Sequence, residues 1–210
     1  QARYALPTII KWFKSDYPKV HLALHQGSPK EIADMLTSGA ADVGIATEGL
    51  DESPEIATFP FYRWHHAVIV RKDHPLLRAG AVTLEALSEY PIITYHEGFT
   101  GRAHVDKAFA DAGIVPDIVL SAIDADVIKT YVDLDLGVGI IASMAYDADK
   151  DRNLSLIPVP ELFPSNTTRL AVRRGTYLRS YAYAFIEKVC PDVGEEAVRA
   201  ALSKQNGSDS

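Results

Sequence analysis

Apolar positions along this chain switch repeatedly between helical and strand spacing. Leu6, Ile9, Ile10, Phe13 and Tyr17 stand three or four apart with Lys11, Lys14 and Asp16 between them, which predicts an amphipathic helix ended by Asp16-Tyr17-Pro18. Val20, Leu22 and Leu24 then alternate with His21, Ala23 and His25, the period of a strand, and Gln26-Gly27 breaks it. Ser28-Pro29-Lys30-Glu31 reads as a capping box with proline at the first helical position. Ile32, Met35 and Leu36 supply that helix's buried stripe and Gly39 closes it. Residues 42–47 are apolar on both faces, which predicts an inner parallel strand. Thr47 and Glu48 then lie at its carboxyl end, where open α/β sheets bind ligands.

The alternation continues with strands over residues 56–62 and 67–70, joined without a turn signal by Arg63-Trp64-His65-His66, a stretch expected to cross between two lobes. In the second lobe Thr83 precedes a short helix with Leu84 and Leu87. Residues 92–95 form a strand, 101–112 a helix closed by Gly113, and 118–122 a strand. Asp124 caps a helix whose inward residues are Val127, Ile128, Tyr131 and Leu134 and which Gly137 stops. Residues 138–142 make an inner strand. A strand over 154–159, an extended return through prolines 158, 160 and 164, a strand around Leu170 and Val172, and a helix over 177–189 complete the pattern. The expected fold class is α/β, two Rossmann-like lobes joined by two crossover strands. Lobe I is 1–62 plus 168–190 and lobe II is 67–163, with hinge crossings at 63–66 and 164–167 and a C-terminal tail at 191–210.

Within this frame the junction Thr94-Tyr-His-Glu-Gly-Phe-Thr-Gly-Arg102 stands out, because a strand runs through a glycine-bearing loop straight into a helix. With Thr100 as N-cap, the hydroxyl and the Gly101 and Arg102 N–H groups would offer an anion several donors at the positive end of the helix. The alternative is that Thr100 only caps its own helix. Glu48 would repel sulfate but receive an ammonium or hydroxyl, or else point to solvent. Trp64 and His65 line the cleft or simply pack. Asp124 reaches the cleft or only caps. His65-His66 is no metal pair, since neighbours on a strand point to opposite faces. Gly137-Val-Gly-Ile-Ile-Ala142 opens a strand rather than a helix, so it is no dinucleotide site, and no cofactor is expected.

Composition narrows the function classes. At 210 residues with 47% hydrophobic content the chain can bury a sizeable core, and its net charge of −7 argues against gripping nucleic acid by itself. One cysteine, Cys190, cannot form an internal disulfide, and no apolar run is long enough to span a membrane. A cytoplasmic setting is therefore expected. The start at Gln1 suggests a removed leader or an excised fragment. No activated nucleophile or acid–base pair stands out, so an enzyme is not expected.

The segments Gln1-Ala-Arg-Tyr-Ala-Leu-Pro7, His25-Gln-Gly-Ser-Pro29, Asp42-Val-Gly-Ile-Ala-Thr-Glu48, Arg63-Trp-His-His66, Gly98-Phe-Thr-Gly-Arg102 and Asp124-Ala-Asp-Val-Ile-Lys-Thr-Tyr131 carry a resemblance. Over residues 1 to about 190 the chain resembles the effector-binding domain of LysR-type transcriptional regulators, in the sulfur-assimilation branch of CysB, Cbl and SsuR. The resemblance implies a fold like type 2 periplasmic binding proteins, with a preceding strand and an N-terminal winged helix-turn-helix outside this chain as the sole contact to DNA. It also implies homotetramers in the full protein and a small-molecule effector such as sulfate, thiosulfate, adenosine 5′-phosphosulfate or acetylserine. In CysB-like proteins threonines and a glutamine hold the anion at the lobe junction, and those positions match Gln1, Thr47 and Thr100. The runner-up within the same fold is a solute-binding protein for a small anion.

Overall fold

The structure, a computed structural model, describes residues 6–47, 49–99 and 101–203. The chain divides into two compact units, Gln1–Tyr62 with Thr167–Ser210, and Arg63–Asn166. In the first, α1 (Pro7–Asp16) starts with proline and ends as the Tyr17 N–H bonds back to the Phe13 carbonyl at 2.8 Å. Both arms of the capping box open α2 (Pro29–Ser38): the Ser28 N–H donates to the Glu31 carboxylate at 2.7 Å and the Glu31 N–H to Ser28 Oγ at 3.3 Å. The donors on Ser28 hold the Glu31 carboxyl below its ordinary pKa. Strands β1 (Gly44–Ala46) and β2 (Ile56–Trp64) follow.

The second unit contains β3 (His66–Arg71), α3 (Leu84–Ser88), β4 (Ile92–Tyr95), α4 (Arg102–Asp111), β5 (Ile118–Ala122), α5 (Ala125–Asp133), β6 (Val138–Ala142) and β7 (Leu154–Pro158). The chain then returns through β8 (Asn166–Arg173), α6 (Ser180–Val189) and α7 (Glu195–Ser203). The first sheet runs β1-β8-β2 and the second β5-β4-β6-β3-β7. In the second, β4 pairs parallel with β5 and β6, whereas β3 pairs antiparallel with β6 and β7.

The central strands of the second sheet read as unbroken apolar runs because helices cover both faces. Val68, Val70, Ile92, Val138 and Ile140 pack on one side with Leu87, Val105 and Phe109. Their sequence neighbours Ile69, Ile93 and Ile141 pack on the other with Ala125, Ile128 and Val132 of α5. The first sheet is covered likewise. Ala57, Phe59, Leu170 and Val172 meet α6 and α7 on one face, and Ala46, Ile56 and Ala171 meet Leu36 and Leu50 on the other.

Five sequence expectations are corrected. Residues 20–24 form no strand: alternation supplies a face but not a ladder partner, none of which pairs with them among the described residues, and Leu24 is left 63% exposed. Among the described residues the strand at 44–46 pairs antiparallel rather than parallel, with Gly44 opposite Ala171 of β8. On α5 the inward stripe is Ala125, Ile128, Lys129 and Val132, while Val127 and Leu134 are 42% and 63% exposed. Lys129 breaks the apolar pattern because its ammonium is fully met by Asp151 at 2.9 Å, Asp126 at 3.0 Å and the Ala145 carbonyl at 2.9 Å. The left-handed turn after that helix falls at Asp135, ahead of Gly137. Finally, the stretch read as a tail carries α7, whose Val198 and Leu202 stand four apart and are buried in the first unit's core.

Two predictions test this packing. A Cβ at Gly139 would stand 2.4 Å from Ile69 Cγ2 and 3.0 Å from Val132 Cγ2, so Gly139→Ala should cost about 1–3 kcal/mol in urea denaturation. An unchanged urea midpoint would mean that α5 does not press on β6. Burial pushes the Cys190 thiol up to about 11 from an ordinary 9.0. Its folded pKa exceeds its unfolded one, so its contribution is intact below pH 9 and lost as pH rises toward 11. Cys190→Ala should therefore flatten the alkaline loss of stability across that window.

Candidate functional site

In the first unit, β1 and β8 lie antiparallel with Ala46 opposite Arg169. The next residue outward, Thr47, meets Thr168, and their Oγ1 atoms stand 3.3 Å apart. Thr168 is fully buried, and its hydroxyl also hydrogen-bonds the Tyr62 phenol. Burial raises the Tyr62 pKa, and the bond to Thr168 offsets only part of that rise, so the phenol stays protonated well beyond neutral pH. Three hydroxyls, one just past the end of β1 and one each from β2 and β8, are thus gathered in one place, and none of them carries a charge.

In the second unit, β4 ends at Tyr95 and the chain turns through His96 to Phe99 before α4. The N-cap position of α4 is Gly101, in left-handed geometry at φ 71°, rather than Thr100. The turn is tightened by the Phe99 N–H donating to the His96 carbonyl at 3.1 Å and the Arg102 N–H donating to the Phe99 carbonyl at 3.0 Å. The Arg102 backbone donor, expected to face a ligand, is therefore used within the turn. Its buried guanidinium bonds the Tyr95 carbonyl at 2.6 Å and Asp106 at 2.7 Å, stapling the end of β4 to α4.

Beside this turn lies a buried polar group. His66 Nδ1 stands 3.3 Å from Asn166 Nδ2, and the His66 ring packs on Trp64 and Phe163 with centroids 5.0 and 5.6 Å away. The Tyr95 hydroxyl accepts from the Ala142 N–H at 3.1 Å. Trp64 is buried in this packing, whereas the His65 side chain is exposed and its carbonyl accepts from the Ser143 N–H at 2.9 Å. Asp124 caps α5, its Oδ1 accepting from the Asp126 N–H at 2.7 Å. At the far end of β3 a depression of about 420 Å³ is lined by Arg71, Lys72, Asp73, Asp133 and Asn153. Arg71 is already engaged there by Asp73 at 3.3 Å and by the Asp133 carbonyl at 3.2 Å, which leaves little charge for a ligand.

Of the residues singled out from the sequence, Gln1, Glu48 and Thr100 lie outside the described residues. Thr47 joins a hydroxyl cluster, Gly101 forms the turn, and Trp64, His65, Arg102 and Asp124 have the contacts given above. The sequence reading gave no site role to Tyr62, Thr168, His66 or Asn166, having weighed His66 only as a metal ligand. Asn166 and Thr168 carried one available signal: β8 opens with four consecutive polar residues, so two of them must fall on its inward face.

A family model described as the LysR substrate binding domain matches residues 1–189. The chain is 54% identical over 202 residues to the HTH-type transcriptional regulator SsuR of Burkholderia cenocepacia, covering 96% of this chain and 66% of that protein. To the HTH-type transcriptional regulator CysB of the same organism it is 51% identical, covering 96% of this chain and 64% of that protein. The chain thus spans just under two thirds of the length of these curated relatives. The crystal structure of the cofactor-binding domain of the Cbl transcriptional regulator superposes with a TM-score of 0.94 at 44% identity, over 98% of this chain and 90% of that one.

The hydroxyl cluster is open to a direct test. The bond from Thr168 lowers the Tyr62 pKa, so Thr168→Val should move the phenol's titration to higher pH, read by ultraviolet absorbance against Tyr62→Phe. An unshifted titration would show that the two side chains are not bonded.

Proposed function

The chain belongs to the LysR substrate-binding domain family, and from that premise we propose that it is the effector-sensing domain of a cytoplasmic transcriptional regulator of sulfur metabolism. Its effector in this reading is a small sulfur-containing anion, sulfate, thiosulfate or adenosine 5′-phosphosulfate, or else acetylserine. The observation that carries the reading is the gathering of Thr47, Thr168 and Tyr62. Sulfate near neutral pH has no proton to give and is satisfied by uncharged O–H and N–H donors. The chain's charge of −7 disfavours an anion at long range, so capture rests on such local donors.

Thr47 with Thr168 in the first unit and the Gly101 turn in the second are each assigned to effector contact. Gln1 and Thr100 are further anion donors, Glu48 is the group for an ammonium or hydroxyl, and Trp64, His65 and Asp124 complete the proposed set, with Arg102 acting through its bonds to Phe99, Tyr95 and Asp106 to shape the Gly101 turn. The relatives' designation as HTH-type transcriptional regulators supports regulation over solute transport or catalysis. DNA contact is assigned to a separate winged helix-turn-helix segment and the working assembly to a homotetramer. An effector switches such a protein only by binding one of its conformations better than another, by about 1–3 kcal/mol.

Each effector that binds should raise the melting temperature in a panel of sulfate, thiosulfate, adenosine 5′-phosphosulfate and acetylserine. Thr47→Val should weaken the binding of the active compound about tenfold by calorimetry, the worth of one good hydrogen bond to a charged group. No shift with any of the four compounds would sink the sulfur reading. An unchanged affinity in Thr47→Val would sink the hydroxyl assignment.

A further inference from the structure

Asn166 is the last residue of the second unit, and its side chain is 1% exposed. Nδ2 is directed at two acceptors, His66 Nδ1 at 3.3 Å and the Pro164 carbonyl at 3.5 Å, which fixes the amide's orientation. The opposite atom, Oδ1, is buried without a hydrogen-bond partner among the described residues. Such an oxygen forfeits its hydration for nothing unless its position matters.

Its position is defined by Gly101. A Cβ on that residue would stand 2.2 Å from Asn166 Oδ1 and 2.9 Å from His66 Cε1. Only a glycine Cα hydrogen fits there, so the oxygen is left with a weak Cα–H···O contact. The left-handed geometry at φ 71° asks for glycine as well. Gly101 is the N-cap of α4, a ten-residue helix whose first N–H groups carry partial positive charge. The buried, unpartnered amide oxygen is aimed at that terminus. Along β8, Thr168 stands two residues from Asn166 and is buried like it.

We infer that Asn166 is a positioning residue: its amide, locked by His66 and Pro164, holds the Gly101 turn in the shape that presents the start of α4 to the effector. The inference rests on the proposed function only in taking that terminus as an effector contact. Asn166 itself does not bind the anion, because Oδ1 is an acceptor and Nδ2 is occupied.

The test combines amide hydrogen exchange without ligand and calorimetry with sodium sulfate on wild type, Asn166→Ala and Asn166→Asp. In Asn166→Ala the Arg102 amide should exchange about tenfold faster while those of Val138–Ala142 in β6 keep their protection. Sulfate should bind that variant about tenfold more weakly. Asn166→Asp replaces the locking Nδ2 donor by an acceptor facing the Pro164 carbonyl and should lose both properties as Asn166→Ala does. A lower melting temperature with unchanged Arg102 exchange and unchanged sulfate affinity would reduce Asn166 to a packing residue and overturn the inference. If Asn166→Ala does not fold, Asn166→Ser, too short to reach Gly101, serves in its place with the same two outcomes. Should wild type fail to bind sulfate, sulfate is excluded as the effector and the other three compounds decide the functional reading, while the exchange result still decides whether Asn166 positions the turn.

Discussion

Helices on both faces of the second sheet leave β4 and β6 with no residue that can face water, down to Thr94, whose hydroxyl is turned onto the Ile140 carbonyl at 3.1 Å. That two-sided burial is the constraint from which the remaining features follow. It demands apolar side chains on consecutive residues. It demands a residue without a side chain at 139, where α5 crosses β6. It also pushes every polar group of use to a ligand out to the strand ends, because an unpaired donor or acceptor within the sheet would forfeit its hydration. The Gly101 turn and the His66–Asn166 pair sit at such ends, as does Thr47 in the first unit.

At those ends the chain relies on neutral donors and on cations already spent on structure. Arg102, beside the proposed effector turn, is consumed by the Tyr95 carbonyl and Asp106. Lys129 is buried among two carboxylates and a carbonyl. A charge left unpaired at such depth would be costly, and paired charges hold loops in place instead. The proposed anion would be met by hydroxyls and helix-terminal N–H groups, whose hydrogen bonds discriminate geometry rather than charge alone. That arrangement suits a sensor, which must release its effector as readily as it binds it. Membership in the LysR substrate-binding domain family is consistent with that economy.

Much of the fold was legible in the residue pattern. The capping box at Ser28 and Glu31, the caps at Thr83 and Asp124, and the apolar run at 138–142 all lie where local chemistry dictates. These are short-range interactions between residues within four positions of one another, and any chain with those residues would favour them. The misreadings share the opposite character. Residues 20–24 have a strand's alternation without a described ladder, Lys129 occupies an inward position that hydrophobicity assigned to its neighbours, and the direction of the 44–46 pairing depends on a strand whose partner residues come 123 to 127 positions later.

The candidate site divides along the same line. Thr47 and Gly101 were visible because a strand end and a glycine before a helix are local signals. Tyr62, Thr168, His66 and Asn166 were not, since a threonine in a strand becomes one of a hydroxyl cluster only when register brings Thr47 within 3.3 Å of it. The N-cap passed from threonine to glycine for a related reason: the space beside Gly101 is taken by Asn166 and His66, side chains 65 residues away in one direction and 35 in the other. By itself the sequence determined most element types, the caps at Ser28, Thr83 and Asp124 and the two-unit α/β plan, because those follow from propensity and periodicity. Only the tertiary structure decided which polar groups meet, because buried contacts are set by the packing of strands and helices distant in sequence.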